Sequence, residues 1–293
     1  MRTALRYREP LSWPATLSFF RARAIPGVET VDGDVYRRSI DVDGQPGLIE
    51  VSRSPRKGSL DLRIEGVDDR YADRVAARVR AIFDLDAPVG DIASVLQRDD
   101  ALAARLESLP GPRVMGAWSG FELSVRAVLG QQVTVAAATT LSGRVARRYG
   151  EPLPSPLAAI DPGVDVLFPK PARLARARMN GMGIVGSRTE TIRALARTVA
   201  AGDIDFDAAQ DARRFRARLE SIRGIGDWTS QYVSMRALRD PDAFPAGDLG
   251  LLKAVEPGRR LDPEALRQRA EAWRPWRAYA ASLLWYAAPA AGG

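Results

Sequence analysis

The amino-acid sequence predicts a mainly α-helical protein with an α+β unit, an antiparallel sheet plus helices, at its N-terminus. Three observations predict it. From about Val28 to Glu65 apolar and polar residues alternate at period two; after Asp69 the apolar residues fall at helical spacing; turn and capping residues divide that helical remainder into segments. A chain of 293 residues has room for two or three units, each with its own core.

Taken in order, VETVDGDVYRRSI reads as two strands turning at Asp32-Gly33, and LIEVSRS and SLDLRIE as two more. Between Asp69 and Leu85, Val75, Val79, Ile82 and Phe83 give the sheet a helix to bury against, so the first unit ends near Asp86. FELSVRAVLG and Val133–Tyr149 form two helices around a turn at Gly130, Gln131 and Gln132, with Gly150 stopping the second. The proline-rich residues 151–171 make a linking loop. Ser187 and Glu190 form a capping-box pattern for a helix that buries Ile192, Leu195, Ala196 and Val199 and closes at Gly202. Helices over Asp211–Ile222 and Asp227–Leu238 flank a Gly-Ile-Gly turn, and Pro275 marks the start or a kink of a last helical stretch, WRPWRAYAASLLWY.

Composition narrows the chemistry. The net charge is +7 and the pI about 10.1, which suits a polyanionic partner. Apart from Lys57, Lys170 and Lys253 the basic residues are arginine, whose planar fork binds phosphate bidentately and stacks on bases. There is no cysteine and no histidine, which excludes disulfides, thiolate nucleophiles, iron–sulfur clusters, imidazole bases and ordinary zinc sites. Chemistry falls to carboxylates, hydroxyls or backbone. Glu9 and Pro10 interrupt the place of a signal-peptide core, and no apolar run reaches the roughly 18 residues of a membrane span, so the expectation is a soluble, intracellular protein.

One segment concentrates the functional signal, LESIRGIGDWTSQYVSMRALRDPDAFPAGD from Leu219 to Asp248. Gly224 and Gly226 strip side chains from a tight turn at a helix start, where free amides and the positive end of the helix dipole can hold a phosphate; the same turn also serves as a plain helix–helix connection. Trp228 and Tyr232, one helical turn apart, share a face that is either core or a wall on which a flat, cationic heteroaromatic stacks; Trp285 and Tyr286 add aromatic surface. Asp248, after Pro245-Ala246-Gly247 and before LGLLKAV, is an N-cap whose second oxygen is able to face a reacting centre.

This segment resembles the helix-hairpin-helix, Gly/Pro-rich, aspartate (HhH-GPD) superfamily of DNA glycosylases, and within it the bacterial enzymes that repair alkylated bases of the 3-methyladenine type. FELSVRAVLGQQVTVA, GIGDWTSQY, the twenty-residue step from Trp228 to Asp248 and WRPWRAYAASLLWY follow the family order, and the stretch from Trp13 through RARAIPGVETV is similar too. The resemblance implies an enzyme that flips a damaged nucleotide out of double-stranded DNA and hydrolyses its N-glycosidic bond. By it Asp248 is the catalytic aspartate, stabilising an oxocarbenium-like sugar or orienting water. Trp285 lies against the flipped base, Trp228 and Tyr232 wall it, and Phe19 and Tyr286 complete the substrate site. Gly224, Ile225, Gly226 and Thr229 grip phosphate, Gln131 and Gln132 enter the minor groove, and the carbonyls of Glu220, Ile222 and Gly224 hold a monovalent cation; no other cofactor is required.

Three departures bear on this reading. Trp228 stands where strand-cutting relatives carry a Schiff-base lysine, so a lyase is not expected. Gly247 stands where some relatives have an acidic residue, and Gln132 where some have a leucine wedge. The expectation is therefore a monomeric, monofunctional glycosylase for N3- and N7-alkylated purines in three parts: residues 1–86, residues 120–240 with the hairpin, and residues 87–119 with 241–293. A noncatalytic DNA-binding protein, an oxidised-base glycosylase/lyase and an enzyme of a small phosphorylated metabolite are the alternatives.

Overall fold

The computed structural model describes residues 1–206, 210–256, 258 and 261–286. Strands β1 (Arg2–Arg6), β2 (Glu29–Asp32), β3 (Val35–Val42), β4 (Gln45–Arg53) and β5 (Ser59–Glu65) form one antiparallel sheet in the order β1-β5-β4-β3-β2, with helix α1 (Trp13–Arg21) between β1 and β2. The register pairs Val51 with Leu62 and Ile49 with Ile64, so period-two alternation puts these side chains on one face. They pack with Tyr36 and Ile40 against α1 and α2 (Ala72–Phe83), whose Val75, Val79, Ile82 and Phe83 are buried as their spacing predicts. Asp32 still pairs with Val35, so the β2–β3 turn is Gly33-Asp34, one residue later than expected. Strand β1 escaped the sequence pattern because only Leu5 of RTALR is buried.

The rest is helical: α3 (Val89–Leu96), α4 (Asp100–Ser108), α5 (Gly120–Gly130), α6 (Val135–Tyr149), α7 (Ser155–Ala158), α8 (Pro171–Leu174), α9 (Gly186–Ala200), α10 (Ala212–Glu220), α11 (Asp227–Val233), α12 (Leu249–Ala254), α13 (Pro263–Ala270) and α14 (Arg277–Tyr286). The fold is thus mainly α with an N-terminal α+β part, as the sequence predicts. One helical core joins α5, α6, α9, α10 and α11 through Val125, Val128, Ile192, Leu195, Phe215 and Leu219. A second joins α3 and α4 to α12, α13 and α14 through Ile92, Leu102, Leu251, Leu266, Trp273 and Leu284. Among the described residues no helix is long and apolar enough to cross a membrane.

Three local expectations need correction. Helix α9 starts at Gly186 with Val185 in the cap position and no side-chain cap, so Ser187 and Glu190 lie inside the helix; Glu190 pairs with Arg193 at 3.0 Å and the capping box does not form. Residues 151–171 do more than link: Leu153, Leu157, Val164 and Leu167 cover Leu48 of the sheet, and Ser39 Oγ donates to the Val166 carbonyl at 2.7 Å. The helix expected over Asp227–Leu238 changes character at Ser234, where a π-helical turn (Ser234–Leu238) ends on Arg239 at φ 60°. Such a turn re-aims side chains, and here Arg236 points inward, 4% exposed.

A buried ion cluster ties the sheet to the helices. Arg38 of β3, 2% exposed, donates from Nη1 to Glu29 (3.1 Å) and from Nη2 to Glu122 of α5 (2.8 Å). Burial raises the Glu122 carboxyl against the pull of Arg38, whereas at Glu29 the charges of Arg38 and Arg126 and the Tyr36 hydroxyl overcome burial and lower it.

Candidate active site

Asp248 caps α12, and its carboxylate is held by N–H groups alone. Oδ1 accepts from the Leu251 amide (3.0 Å) and from Trp285 Nε1 (3.0 Å), and Oδ2 accepts from Trp228 Nε1 (2.9 Å). All three partners are neutral, so the charge is oriented without being cancelled by a cation. The group is half-buried and flanked by the exposed residues Gly247, Leu249 and Gly250, so it faces the surface. Gly250 clears the space: a Cβ there would come 2.9 Å from Asp248 Oδ1 and 3.5 Å from Trp285 Cδ1.

Aromatic rings surround this carboxylate. Trp228 and Tyr232 stack at 5.4 Å and 10°, and Trp285 meets Tyr232 edge-on at 6.0 Å. Arg236 Nη1 donates to the Tyr232 hydroxyl while its Nε and Nη2 bind the carbonyls of Met115 (2.7 Å) and Gly116 (3.0 Å). Burial would raise the Tyr232 phenol, but the charges of Arg236, Arg23 and Arg126 prevail and lower it. Phe19 is reached through Arg236, whose guanidinium lies 5.0 Å from its ring centre; Arg23 lies 4.1 Å from it, and Tyr286 packs at 5.5 Å. Phe19 is 9% exposed with two cations on it, so it is no open wall for a base. A concavity lined by Phe19, Arg23, Trp118, Glu122, Arg126 and Arg236 lies at this deeper end.

The hairpin sits on the other side of Trp228. Gly224, at φ 93°, has no room for a Cβ, which would fall 2.1 Å from Thr191 Oγ1; the same hydroxyl donates to the Arg223 carbonyl at 3.0 Å. Gly226, at the cap of α11, has nothing within 4 Å of an added Cβ, so the space beside it is open. Ile225 is buried and its amide donates to the Ile222 carbonyl at 3.0 Å, which makes it an anchor. Thr229 is 2% exposed, and its hydroxyl accepts from Gln131 Nε2 at 3.0 Å, so it braces the hairpin from inside. Sequence reasoning passed over Asp227, a carboxylate beside the free amides, with Arg267 3.9 Å away.

Gln131 and Gln132 separate in role. Gln131 Nε2 also donates to the Gly224 carbonyl at 2.9 Å, and Arg188 donates to the Gln131 carbonyl, so this residue bolts the α5–α6 turn to the hairpin. Gln132 takes φ 55° and projects into solvent beside the exposed Val133 and Val135. As for a cation, the Ile222 and Gly224 carbonyls each accept a hydrogen bond, from Ile225 and Gln131, and each oxygen keeps a second lone pair. Both oxygens can therefore take a further electropositive partner.

Residues 2–119 match the AlkA N-terminal domain and residues 125–278 match the HhH-GPD superfamily base excision DNA repair protein model. The chain is 32% identical to DNA-3-methyladenine glycosylase 2 of Escherichia coli over 96% of both proteins. It is 35% identical to a Mycobacterium tuberculosis protein named "Probable bifunctional transcriptional activator/DNA repair enzyme AlkA", over 96% of this chain; it spans about half, 56%, of that relative's length. Its fold matches that of a 3-methyladenine DNA glycosylase from Archaeoglobus fulgidus with a TM-score of 0.83 at 21% identity, covering 97% of each chain. With two family models in sequence order and a relative aligned along nearly its whole length, the chain belongs to the HhH-GPD superfamily of base excision DNA repair proteins.

Proposed function

We propose that this protein is a monofunctional DNA glycosylase that removes alkylated purines of the 3-methyladenine and 7-methylguanine type from double-stranded DNA. The observation that carries the proposal is the Asp248 carboxylate, half-buried at the protein surface and fixed by two indole N–H groups and a helix amide. An N3- or N7-alkylated purine is already cationic, so it leaves with the bonding electrons and needs no acid. Positive charge then develops on the sugar, and an uncancelled carboxylate is what stabilises it or orients the attacking water. Trp285 and Trp228 hold that carboxylate by their edges and offer the flipped base their faces.

The backbone supplies the grip. Gly226 opens the start of α11 to a phosphate, and the Gln131 bolt sets Gln132 at a fixed distance from that phosphate, positioned to fill the gap left by the flipped nucleotide. A monovalent cation on the hairpin carbonyls would add positive charge beside the phosphate. Trp228 in place of a catalytic lysine supports hydrolysis over lyase chemistry. The protein works as an intracellular monomer on duplex DNA in this reading.

The test is to incubate the protein with methylated duplex DNA and separate released bases by chromatography, with borohydride added in a parallel reaction. Release of 3-methyladenine and 7-methylguanine without a trapped protein–DNA adduct is expected. A trapped adduct, or DNA binding with no base released, would show a lyase or a noncatalytic lesion binder instead.

A further inference from the structure

The deeper end of the aromatic cluster has a chemistry that the stacking surfaces do not explain. Arg23 is half-buried, and among the described residues its one hydrogen bond is a long contact of 3.4 Å from Nη1 to the Phe19 carbonyl, with no carboxylate paired to it. By contrast Arg236 is fully engaged with two carbonyls and the Tyr232 hydroxyl, and Arg126 has Glu29 at 3.7 Å. Against the same Phe19 ring, the Tyr286 hydroxyl is buried and has no hydrogen-bond partner among the described residues.

Both features are costly alone. A guanidinium drawn out of water with only a ring face and one long hydrogen bond for partners loses more hydration than it regains, and a phenol hydroxyl that meets neither protein nor solvent regains none. They flank the same ring, Phe19, with Arg23 at 4.1 Å from its centre and Tyr286 ring to ring at 5.5 Å. Burial depresses the Arg23 guanidinium and raises the Tyr286 phenol, in line with two groups waiting for a polar partner. The guanidinium can only donate, whereas the hydroxyl can donate or accept. A partner that satisfies both is an acceptor with two lone pairs, as in a carbonyl oxygen.

Resting on the glycosylase reading above, we infer that Arg23 and the Tyr286 hydroxyl form a specificity-determining edge that donates to an exocyclic carbonyl of the flipped base. The site then takes 6-oxo purines, such as 7-methylguanine, with an advantage that 6-amino purines, such as 3-methyladenine, do not receive. An amino group turned toward Arg23 meets a second donor and gains nothing.

The experiment compares the two bases released from one sample of methylated duplex DNA by the parent protein, Arg23→Gln, Arg23→Lys and Tyr286→Phe, with DNA affinity and melting temperature measured on each. Arg23→Gln should lower the 7-methylguanine to 3-methyladenine rate ratio about tenfold, the size of one hydrogen bond to a charged donor. Tyr286→Phe should lower it about threefold, as for a neutral hydrogen bond, and Arg23→Lys should recover part of the loss. Because the ratio is internal to each reaction, a partly unfolded variant changes both rates and leaves it unmoved. An unchanged ratio overturns the inference. So does an equal fall in both rates with weaker DNA binding and a shallower salt dependence, which would make Arg23 a phosphate contact. A parent protein that releases neither base overturns the glycosylase reading and this one with it; a parent that releases both, with ratios constant across the variants, overturns this one alone.

Discussion

Asp99 and Asp248 are built alike and differ in one partner. Each is the N-cap of a helix in the same core, each is half-buried, and each takes an indole N–H, from Trp273 at 3.0 Å to Asp99 and from Trp285 at 3.0 Å to Asp248. At Asp99 the remaining partner is Arg269, bound by two parallel bonds of 2.9 Å. At Asp248 it is a second indole, that of Trp228. The arginine cancels one carboxylate and makes it a structural clamp between α4 and α13; the tryptophan orients the other and leaves its charge available. Capping geometry therefore does not separate the structural Asp99 from Asp248, the residue proposed to react. The charge of the third partner does.

The paired substitutions Asp248→Asn and Asp99→Asn put the largest effects on this difference. Asparagine caps helices about as well as aspartate, so Asp248→Asn should melt within about 2 °C of the parent, given that a 1 kcal/mol change moves Tm by roughly 2–4 °C in chains of this size. Base release should fall by about a thousandfold, the upper range for losing one electrostatic contact to a transition state, while DNA binding persists. Asp99→Asn should do the reverse, costing about 1–3 kcal/mol of stability for a charge-assisted pair with the release rate per folded molecule unchanged. Equal losses of activity in both variants would erase the distinction.

Much of this was readable in the sequence, for a physical reason. Period-two alternation over Val28–Glu65, helical spacing in Val75, Val79, Ile82 and Phe83, and the cap at Asp248 are local patterns, each set by neighbours within a few residues. The indole bonds to Asp248 span 20 and 37 residues, and the Arg269–Asp99 pair spans 170. Nothing local marks Asp99 as an arginine partner. The ion cluster of Arg38 with Glu29 and Glu122 and the double bond of Gln131 to Gly224 and Thr229 were hidden likewise, because the sheet and helices had to be docked first. The capping box at Ser187 shows the opposite error, a local pattern overruled when the cap fell two residues earlier, on Val185.

The indoles sharpen the comparison at the next scale. Trp228→Phe and Trp285→Phe each keep an aromatic face and delete one N–H to Asp248, so each should slow release about tenfold, the worth of a hydrogen bond to a charged group. Trp273→Phe deletes the equivalent bond to Asp99 and should appear only in the melting temperature. If Trp273→Phe slowed release as much as Trp285→Phe, the Asp99 clamp would belong to the reacting site.

A pH series tests the Asp99 clamp by stability alone. Burial raises the Asp99 carboxyl, but the bonds from Arg269 and Trp273 outweigh it and hold the group below its ordinary value of 3.8. The unfolded chain then binds this proton first, so the stabilisation is present above the unfolded value and is lost as pH falls through the folded one. Tm should drop below about pH 4, and Asp99→Asn should flatten that drop. Asp86, Asp211 and Glu271 are also lowered and keep part of it. An acid slope identical in the variant and the parent would mean that Asp99 carries no share.

The smallest effect comes from a hydrogen atom. Two residues after Asp99 stands Ala101, whose amide donates to Asp99 Oδ1 at 3.0 Å; two residues after Asp248 stands Gly250, and the cap bond shifts to Leu251. A Cβ on Gly250 would sit 2.9 Å from Asp248 Oδ1 and 3.6 Å from Trp285 Nε1, so Gly250→Ala must move the carboxylate or the tryptophan by a few tenths of an ångström. Alanine is the better helix former by roughly 0.5–1 kcal/mol, which predicts an unchanged or higher Tm. Misplacing a reacting group by about 1 Å costs on the order of a hundredfold, and a shift of this smaller size should slow release about threefold. Stability and rate would then move in opposite directions at one position, which a merely structural cap does not allow; a Gly250→Ala protein with both unchanged would show that the Asp248–Trp285 spacing carries no catalytic weight.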